Sequence, residues 1–338
     1  SAELVDLARL AAQRFETVWL AQQLQSRSTF TLLGAMAARV DANVGSAVTF
    51  PFGQHPLELA TIFGTLTELV RPGRRVLMGV GTGGGMVEAV TEKRKPITRV
   101  REMIEMCRAL WTGEPVALAD YPATVDSTDL RADSQVALNF TPAAPVPIIV
   151  TGIGPKILEL AGELADGILF ASNIPPHSLG SFRAGRWPTV SQIDAVQRGR
   201  DGKERPFTRT YGLNVSIDKD REAARALARR QAVLIVSGMP AESLEAAGYD
   251  SDSCKPVKQA LSRGESMEAV AKQVPTAIAD GLVISGDPDD CIAQLGELLD
   301  YVDAAGFEQA YFGAPIGPDT HEAVKLLADV VMPALKTG

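Results

Sequence analysis

Three cysteines and three histidines in 338 residues leave little room for several chemistries. Cys107, Cys254 and Cys291 are too few and too far apart for a disulfide framework or a C-x-x-C metal site. They read as reduced thiols of a cytoplasmic protein. His55, His177 and His321 do not make a multi-histidine metal centre, so no metal is expected. No apolar run reaches the roughly 18 residues that a membrane span needs, and no signal-peptide pattern opens the chain. Basic residues are in deficit, 33 Lys and Arg against 41 Asp and Glu for a net charge of −8. A nucleic-acid partner would want the opposite balance. No pair of carboxylates has the spacing of a general acid and base, and no internal repeat or low-complexity tract stands out. What remains, 46% hydrophobic and 22% charged, is an ordinary soluble chain with a core. Its length allows two domains or one closed α/β barrel.

The stretch Pro147 to Asn173 sets the class. Ile148 to Thr151 is a β-branched run, apolar on both faces, as in a strand covered on both sides. Gly152-Ile153-Gly154 breaks it, and Pro155 sits where a helix starts and its missing N–H is harmless. Ile157, Leu160, Ala161 and Leu164 recur at helical spacing. Ala165-Asp166-Gly167 ends that helix, and Ile168 to Ala171 is again an apolar strand. Strand, glycine turn, helix and strand within roughly 25 residues form a βαβ unit with parallel strands. The turn also leaves backbone N–H groups free to face an anion.

Further strands are expected at Thr17–Ala21, Ala42–Thr49, Val76–Val80, Tyr211–Ile217 and Gln309–Ala314. Helices are expected over Ala2–Gln13, Thr29–Arg39, Pro56–Leu69, Ile97–Trp111, Arg221–Val236, Asp287–Ala304 and Thr320–Leu335. Thr112–Pro145 reads as loops with a small hairpin, Pro175–Gln197 as loop plus a weak helix, and Met239–Thr276 as a helical insertion. An α/β chain that starts on a helix suggests that a first strand is missing from this sequence. Seven strands plus that one give the eight of a (β/α)₈ TIM barrel, a single domain over 1–338 with its insertion at about 239–276.

Gly79, Gly81 and Gly84 satisfy G-x-G-x-x-G. The dinucleotide fingerprint wants an acid ending a strand ~20 residues on, where this chain has a helix. Two other readings stay open: a structural turn, or a glycine loop at a barrel strand's C-terminal end, where bare backbone approaches a flat cofactor. Lys93-Arg94-Lys95 is a solvated helix end or an attraction for an anionic ligand tail. His55, followed by a helix-starting proline, suits a cap, as do His177 and His321. Glu58 and Glu68 fall on a helix that reads as scaffold. These residues give a barrel with glycine-lined strand ends and name no chemistry.

Together the segments VGSAVTFPFGQHP (Val44–Pro56), GVGTG (Gly79–Gly83), GPKILELAGELADG (Gly154–Gly167), SIDKD (Ser216–Asp220), GDPDDC (Gly286–Cys291) and APIGP (Ala314–Pro318) resemble the luciferase-like barrel superfamily. Within it they resemble the branch of methylenetetrahydromethanopterin reductase, which uses the 5-deazaflavin coenzyme F420. The resemblance covers nearly the whole chain. It implies a non-prolyl cis peptide at Ala47–Val48, flanked by Ser46 and Thr49, in a bulge behind the deazaflavin ring. It implies that Gly81, Thr82 and Gly83 line the ribityl and phosphate side, and that Thr151, Gly152, Ile153, Gly154 and Lys156 form the loop for phosphate or tail. Where the family has an Asp-His pair near ring and substrate, this chain has Gln22 and Gln23, which hydrogen-bond but do not exchange protons. The family's first-strand acid is not in this sequence, and Ile153 stands at a glutamine-like position of the phosphate loop. These departures bear on the substrate more than on the cofactor.

The function implied is hydride transfer between the deazaflavin C5 and a small organic substrate, an imine, enone or pterin, in a homodimer or homotetramer. Two alternatives stand beside it. One is a reduced-FMN-dependent monooxygenase of the same superfamily, which would leave Lys93–Lys95 without a tail to meet and commonly wants a histidine near the flavin. The other is a non-catalytic flavin- or deazaflavin-binding barrel.

Overall fold

Aliphatic and β-branched runs become strands in this protein, and prolines mark where the following helices begin. The computed structural model describes residues 1–83, 87, 90–170, 188–239, 241–246, 248–304 and 306–335. The chain divides into two units, residues 1–168 with 195–207 and residues 169–194 with 208–338.

In the first unit, β1 (Thr17–Leu20), β2 (Asn43–Ser46) and β3 (Val76–Val80) lie side by side and parallel. Register runs from Thr17 opposite Asn43 to Leu20 opposite Ser46, then Val44 opposite Val76. A small antiparallel hairpin, β4 (Val116–Ala117) with β5 (Gln135–Val136), fills the expected irregular stretch. Next, β6 (Ile148–Gly152) pairs with β3, Met78 opposite Ile148 and Val80 opposite Val150. Ala2–Ala11 forms α1, and Thr29–Ala37 forms α2 behind the cap of Ser28, whose Oγ accepts from Thr31 N at 3.4 Å. In α3 (Pro56–Leu66), His55 is the N-cap, its Nδ1 accepting from Leu57 N at 3.2 Å. Leu59, Ala60, Phe63 and Leu66 of α3 and Thr67 just beyond it are buried. On α4 (Pro96–Leu110), Val100, Ile104 and Cys107 face inward, and the Trp111 indole donates to Ala60 O at 2.9 Å, tying α4 to α3. The βαβ helix, α5 (Pro155–Leu164), starts at Pro155 as its sequence predicts and is tied to α4 by an Arg101–Glu163 ion pair.

β7 (Gly167–Phe170) and α6 (Pro188–Arg200) stand where the chain passes between the units. In the second unit β8 (Thr208–Ile217) is the central strand. It pairs in parallel with β10 (Gln309–Ile316) and, at its C-terminal end, with β9 (Ile284–Gly286), Val215 opposite Ile284. Phe307 meets the rings of Phe170 and Tyr211 edge-on at 5.3 Å each. Asp220 caps α7 (Arg221–Gly238), accepting from Glu222 N and Ala223 N. The helix α8 (Pro288–Ala304) opens where Arg221 reaches Asp287 and Asp290, and α9 (Thr320–Leu326) opens on the cap of Asp319.

Each expected strand has a counterpart, with three corrections. The strand over Ala42–Thr49 stops at Ser46, because the backbone turns out of register there. β9 falls in a stretch to which the sequence reading assigns no element; only three residues pair, too few for a periodicity to show. The helical insertion continues past Thr276, since Thr276–Leu282 is also a helix. Val257, Val270, Ile278 and Leu282 of this block pack on Ala232, Val233 and Val236 of α7 in a buried cluster. His177 and the stretch 175–187, expected from the sequence to be loop, lie outside the described residues.

One helix contact in the first unit leaves no spare volume. A Cβ on Gly162 of α5 would fall 2.0 Å from Val196 O, and one on Gly199 of α6 would fall 1.9 Å from Glu159 O. Gly162→Ala is therefore expected to destabilise the protein by about 3 kcal/mol through overpacking. Gly296→Ala on α8, where the nearest atom is Leu335 Cδ2 at 3.7 Å, should be neutral or stabilise by up to about 1 kcal/mol from helix propensity. Denaturant unfolding of the two variants checks both.

Candidate functional site

The C-terminal ends of β1, β2, β3 and β6 lie side by side in the first unit. Ser46 and Thr49 are fully buried, while Ala47 and Val48 between them stay partly exposed. The Ala47–Val48 peptide is cis. Ser46 Oγ donates to Gly79 O at 3.0 Å and accepts from Gly79 N at 3.1 Å, and Thr49 Oγ1 lies 2.8 Å from Ser46 Oγ. Backbone bonds complete the clasp: Thr49 N to Gly79 O at 2.7 Å, Gly81 N to Thr49 O at 3.0 Å, and Ala47 N to Leu20 O at 3.0 Å. The Ser46 hydroxyl thus satisfies both backbone groups of Gly79, and the Thr49 hydroxyl donates to it.

Glycine makes the approach possible. A Cβ on Gly79 would sit 1.8 Å from Ser46 O, and one on Gly81 would meet Thr151 O at 3.0 Å and Val48 Cγ2 at 3.2 Å. Gly81 is thereby wedged between the β2 bulge and the end of β6. Gly83 has φ +72°, a left-handed conformation natural to glycine, and its carbonyl accepts from Lys93 Nζ at 2.6 Å. Thr82 and Gly83 are partly exposed. Gly84 and Gly85 of the glycine run lie outside the described residues.

After β6, Thr151, Gly152 and Gly154 are partly exposed, and Ile153 and Lys156 are exposed. Gly152 is required by the start of α5, since a Cβ there would fall 2.4 Å from Ile157 Cγ2. Gly154, the N-cap of α5, has open space beside it, and its helix carries neither a side-chain cap nor an acid in the first turn. That end can receive an anion.

The two glutamines separate. Gln23 is exposed and its Oε1 accepts from Ser26 Oγ at 2.8 Å, within its own turn. Gln22 Oε1 is shut off from solvent and has no hydrogen-bond partner. Such an orphaned acceptor costs about 1–3 kcal/mol unless a donor reaches it. Of the basic run, Arg94 is clamped to Glu92 and Lys95 lies 3.8 Å from Asp126. Lys93, which the sequence offered only as part of a charge run, instead braces the glycine loop. Arg99 was missed: its guanidinium lies 4.7 Å from the Phe52 ring centroid and donates to Pro51 O at 2.6 Å, fixing the segment after the bulge. No spacing in the sequence marks that contact. Burial pushes the thiols of Cys107 and Cys291 up to about 12, so neither is a nucleophile near neutral pH. Among the described residues no group of His, Cys, Asp and Glu could hold a metal, and no helix is long and apolar enough to cross a membrane.

The site is thus built of strand-end glycines and backbone around the Ala47–Val48 bulge. The profile of the luciferase-like monooxygenase family matches residues 1–306, and the chain belongs to that family. Its fold is the TIM-barrel type of the family. Among named proteins it is similar to the 5,10-methylenetetrahydromethanopterin reductase of Archaeoglobus fulgidus, 31% identical over 332 residues, covering 95% of this chain and 92% of the relative. It is also similar to the F420-dependent glucose-6-phosphate dehydrogenase of Nakamurella multipartita, 28% identical with 99% and 92% covered. The solved coenzyme F420-dependent tetrahydromethanopterin reductase of Methanopyrus kandleri superposes with a TM-score of 0.78 at 22% identity, covering 99% of this chain and 95% of that one.

Replacing Ser46 with Ala leaves Gly79 N and the Thr49 hydroxyl without their shared partner. Ser46→Ala is expected to cost about 1–3 kcal/mol, read from the shift in urea midpoint at unchanged slope. An unshifted midpoint would show that the clasp contributes nothing.

Proposed function

We propose that this chain is a coenzyme F420-dependent oxidoreductase. The observation that carries the reading is the partly exposed Ala47–Val48 bulge at the strand ends, packed so closely on Gly79 and Gly81 that neither glycine could carry a side chain. The open bulge suits a flat ring, and the N-terminus of α5, with no side-chain cap and no acid in its first turn, suits a phosphate, so the residues present fit a deazaflavin. Ser46, Ala47, Val48 and Thr49 back the ring; Gly81, Thr82 and Gly83 border its ribityl side; Thr151, Gly152, Ile153, Gly154 and Lys156 take the phosphate. When bound, the coenzyme supplies hydride exchange at its C5. The protein's own residues bind, orient and keep water from the exposed face of the bulge. The Nakamurella multipartita relative and the Methanopyrus kandleri structure are both F420-dependent enzymes, which favours F420 over reduced FMN.

The substrate is a small molecule, and 5,10-methylenetetrahydromethanopterin is the first compound to test. Gln22 and Gln23 offer no proton at the position they occupy, so any proton the reaction needs comes from elsewhere. One catalytic domain over 1–338, assembled as a homodimer or homotetramer in the cytoplasm, completes the reading; the buried thiols suit a reducing compartment.

Titration calorimetry with coenzyme F420 and, separately, with FMN tests it. F420 is expected to bind at least roughly tenfold tighter, a difference of about 1.4 kcal/mol. Reduced F420 should then be oxidised in the presence of 5,10-methylenetetrahydromethanopterin. A preference for FMN, with oxygen uptake, would move the assignment to a monooxygenase. Tight F420 binding with no turnover of imines, pterins or enones would make the chain a binding protein.

A further inference from the structure

Gln22 carries a buried polar atom that nothing in the fold uses. Its Oε1 is out of solvent and has no hydrogen-bond partner. The backbone beside it is fixed: Ala21 O accepts from Thr29 Oγ1 at 3.2 Å, and Leu20 O accepts from Ala47 N at 3.0 Å. The end of β1 is therefore one hydrogen bond away from the Ala47–Val48 bulge. Gln23 is engaged with Ser26, so Gln22 is the glutamine whose side-chain oxygen is shut off from solvent without a partner.

Resting on the cofactor reading above, we infer that Gln22 recognises the imide edge of the deazaflavin ring. That edge presents an N–H between two carbonyls. A primary amide is its complement, with one acceptor and two donors on adjacent atoms. The fit holds whichever way the amide is turned, because the imide alternates donor and acceptor. Both partners are neutral, so the pairing needs no buried charge. The role is distinct from acid–base chemistry: Gln22 selects a ring bearing an imide and sets its rotation on the bulge.

The test measures the dissociation constants of oxidised coenzyme F420 and of 5-deazariboflavin, which has the ring without phosphate or acidic tail. They are determined for the full chain and for Gln22→Met, which keeps the volume and loses both polar atoms. The variant should weaken both ligands by the same factor, roughly tenfold to hundredfold, as for a buried hydrogen-bonded pair. Gln22→Asn, one methylene too short, gives the same reading if the Met variant does not fold. Gln22→Glu adds a signature: relative to wild type it should bind less well as pH rises, because the ionised carboxylate cannot donate to a ring carbonyl. Affinities of both Met and Asn variants within about twofold of wild type would overturn the inference and leave the cofactor reading standing. A loss confined to coenzyme F420, with 5-deazariboflavin unaffected, would overturn it too, by placing Gln22 at the tail. Failure of the wild-type chain to bind either ligand would sink the cofactor reading, and this inference with it.

Discussion

The clasp between Ser46 and Gly79 is the constraint around which the candidate site is built. A strand that ends in a bulge must dispose of backbone groups that no longer have a ladder partner. Here one hydroxyl accepts the Gly79 N–H and donates to the Gly79 carbonyl, while Thr49 leans on the same oxygen. The approach is so close that only glycine fits at position 79. From this follow the outward presentation of Ala47 and Val48 and the seat of Gly81 against Thr151. The bulge is held to β3 both by the Ser46 hydroxyl and by main-chain bonds from Thr49 N to Gly79 O and from Gly81 N to Thr49 O.

Much of the fold was legible because it rests on local signals. The β-branched run Ile148–Thr151, Pro155 at the first helical position and the apolar spacing of α5 each report on their own few residues, and they agree. The His55 cap was readable from the proline after it. β9 was not readable: three residues carry no period, and their pairing with Val215–Ile217 is a tertiary event. The end of β2 was misjudged for a related reason. Val44 to Thr49 has strand composition throughout, yet beyond Ser46 the pairing with β3 resumes only as a single bridge between Thr49 and Val80.

The site divided along the same line. Glycines showed where backbone would come close, and the family resemblance put the cis bond on the right pair. Nothing in QQ tells which glutamine turns inward; that was decided by Ser26, which engages Gln23 from three residues away. Lys93 and Arg99 were invisible as braces, since their partners are the carbonyls of Gly83 and Pro51, and carbonyls have no letter in a sequence. In the second unit the helical block runs on to Leu282 because its last helix places Ile278 and Leu282 in the cluster against α7.

The three cysteines, all buried, have a practical consequence. Their sulfurs are unreactive towards maleimides and iodoacetamides while the fold is intact. A cysteine placed on an exposed position, such as that of Ile153, would be the single labelling site of the native protein. One fluorophore or spin label there would report on the rim beside α5 without any cysteine having to be removed first.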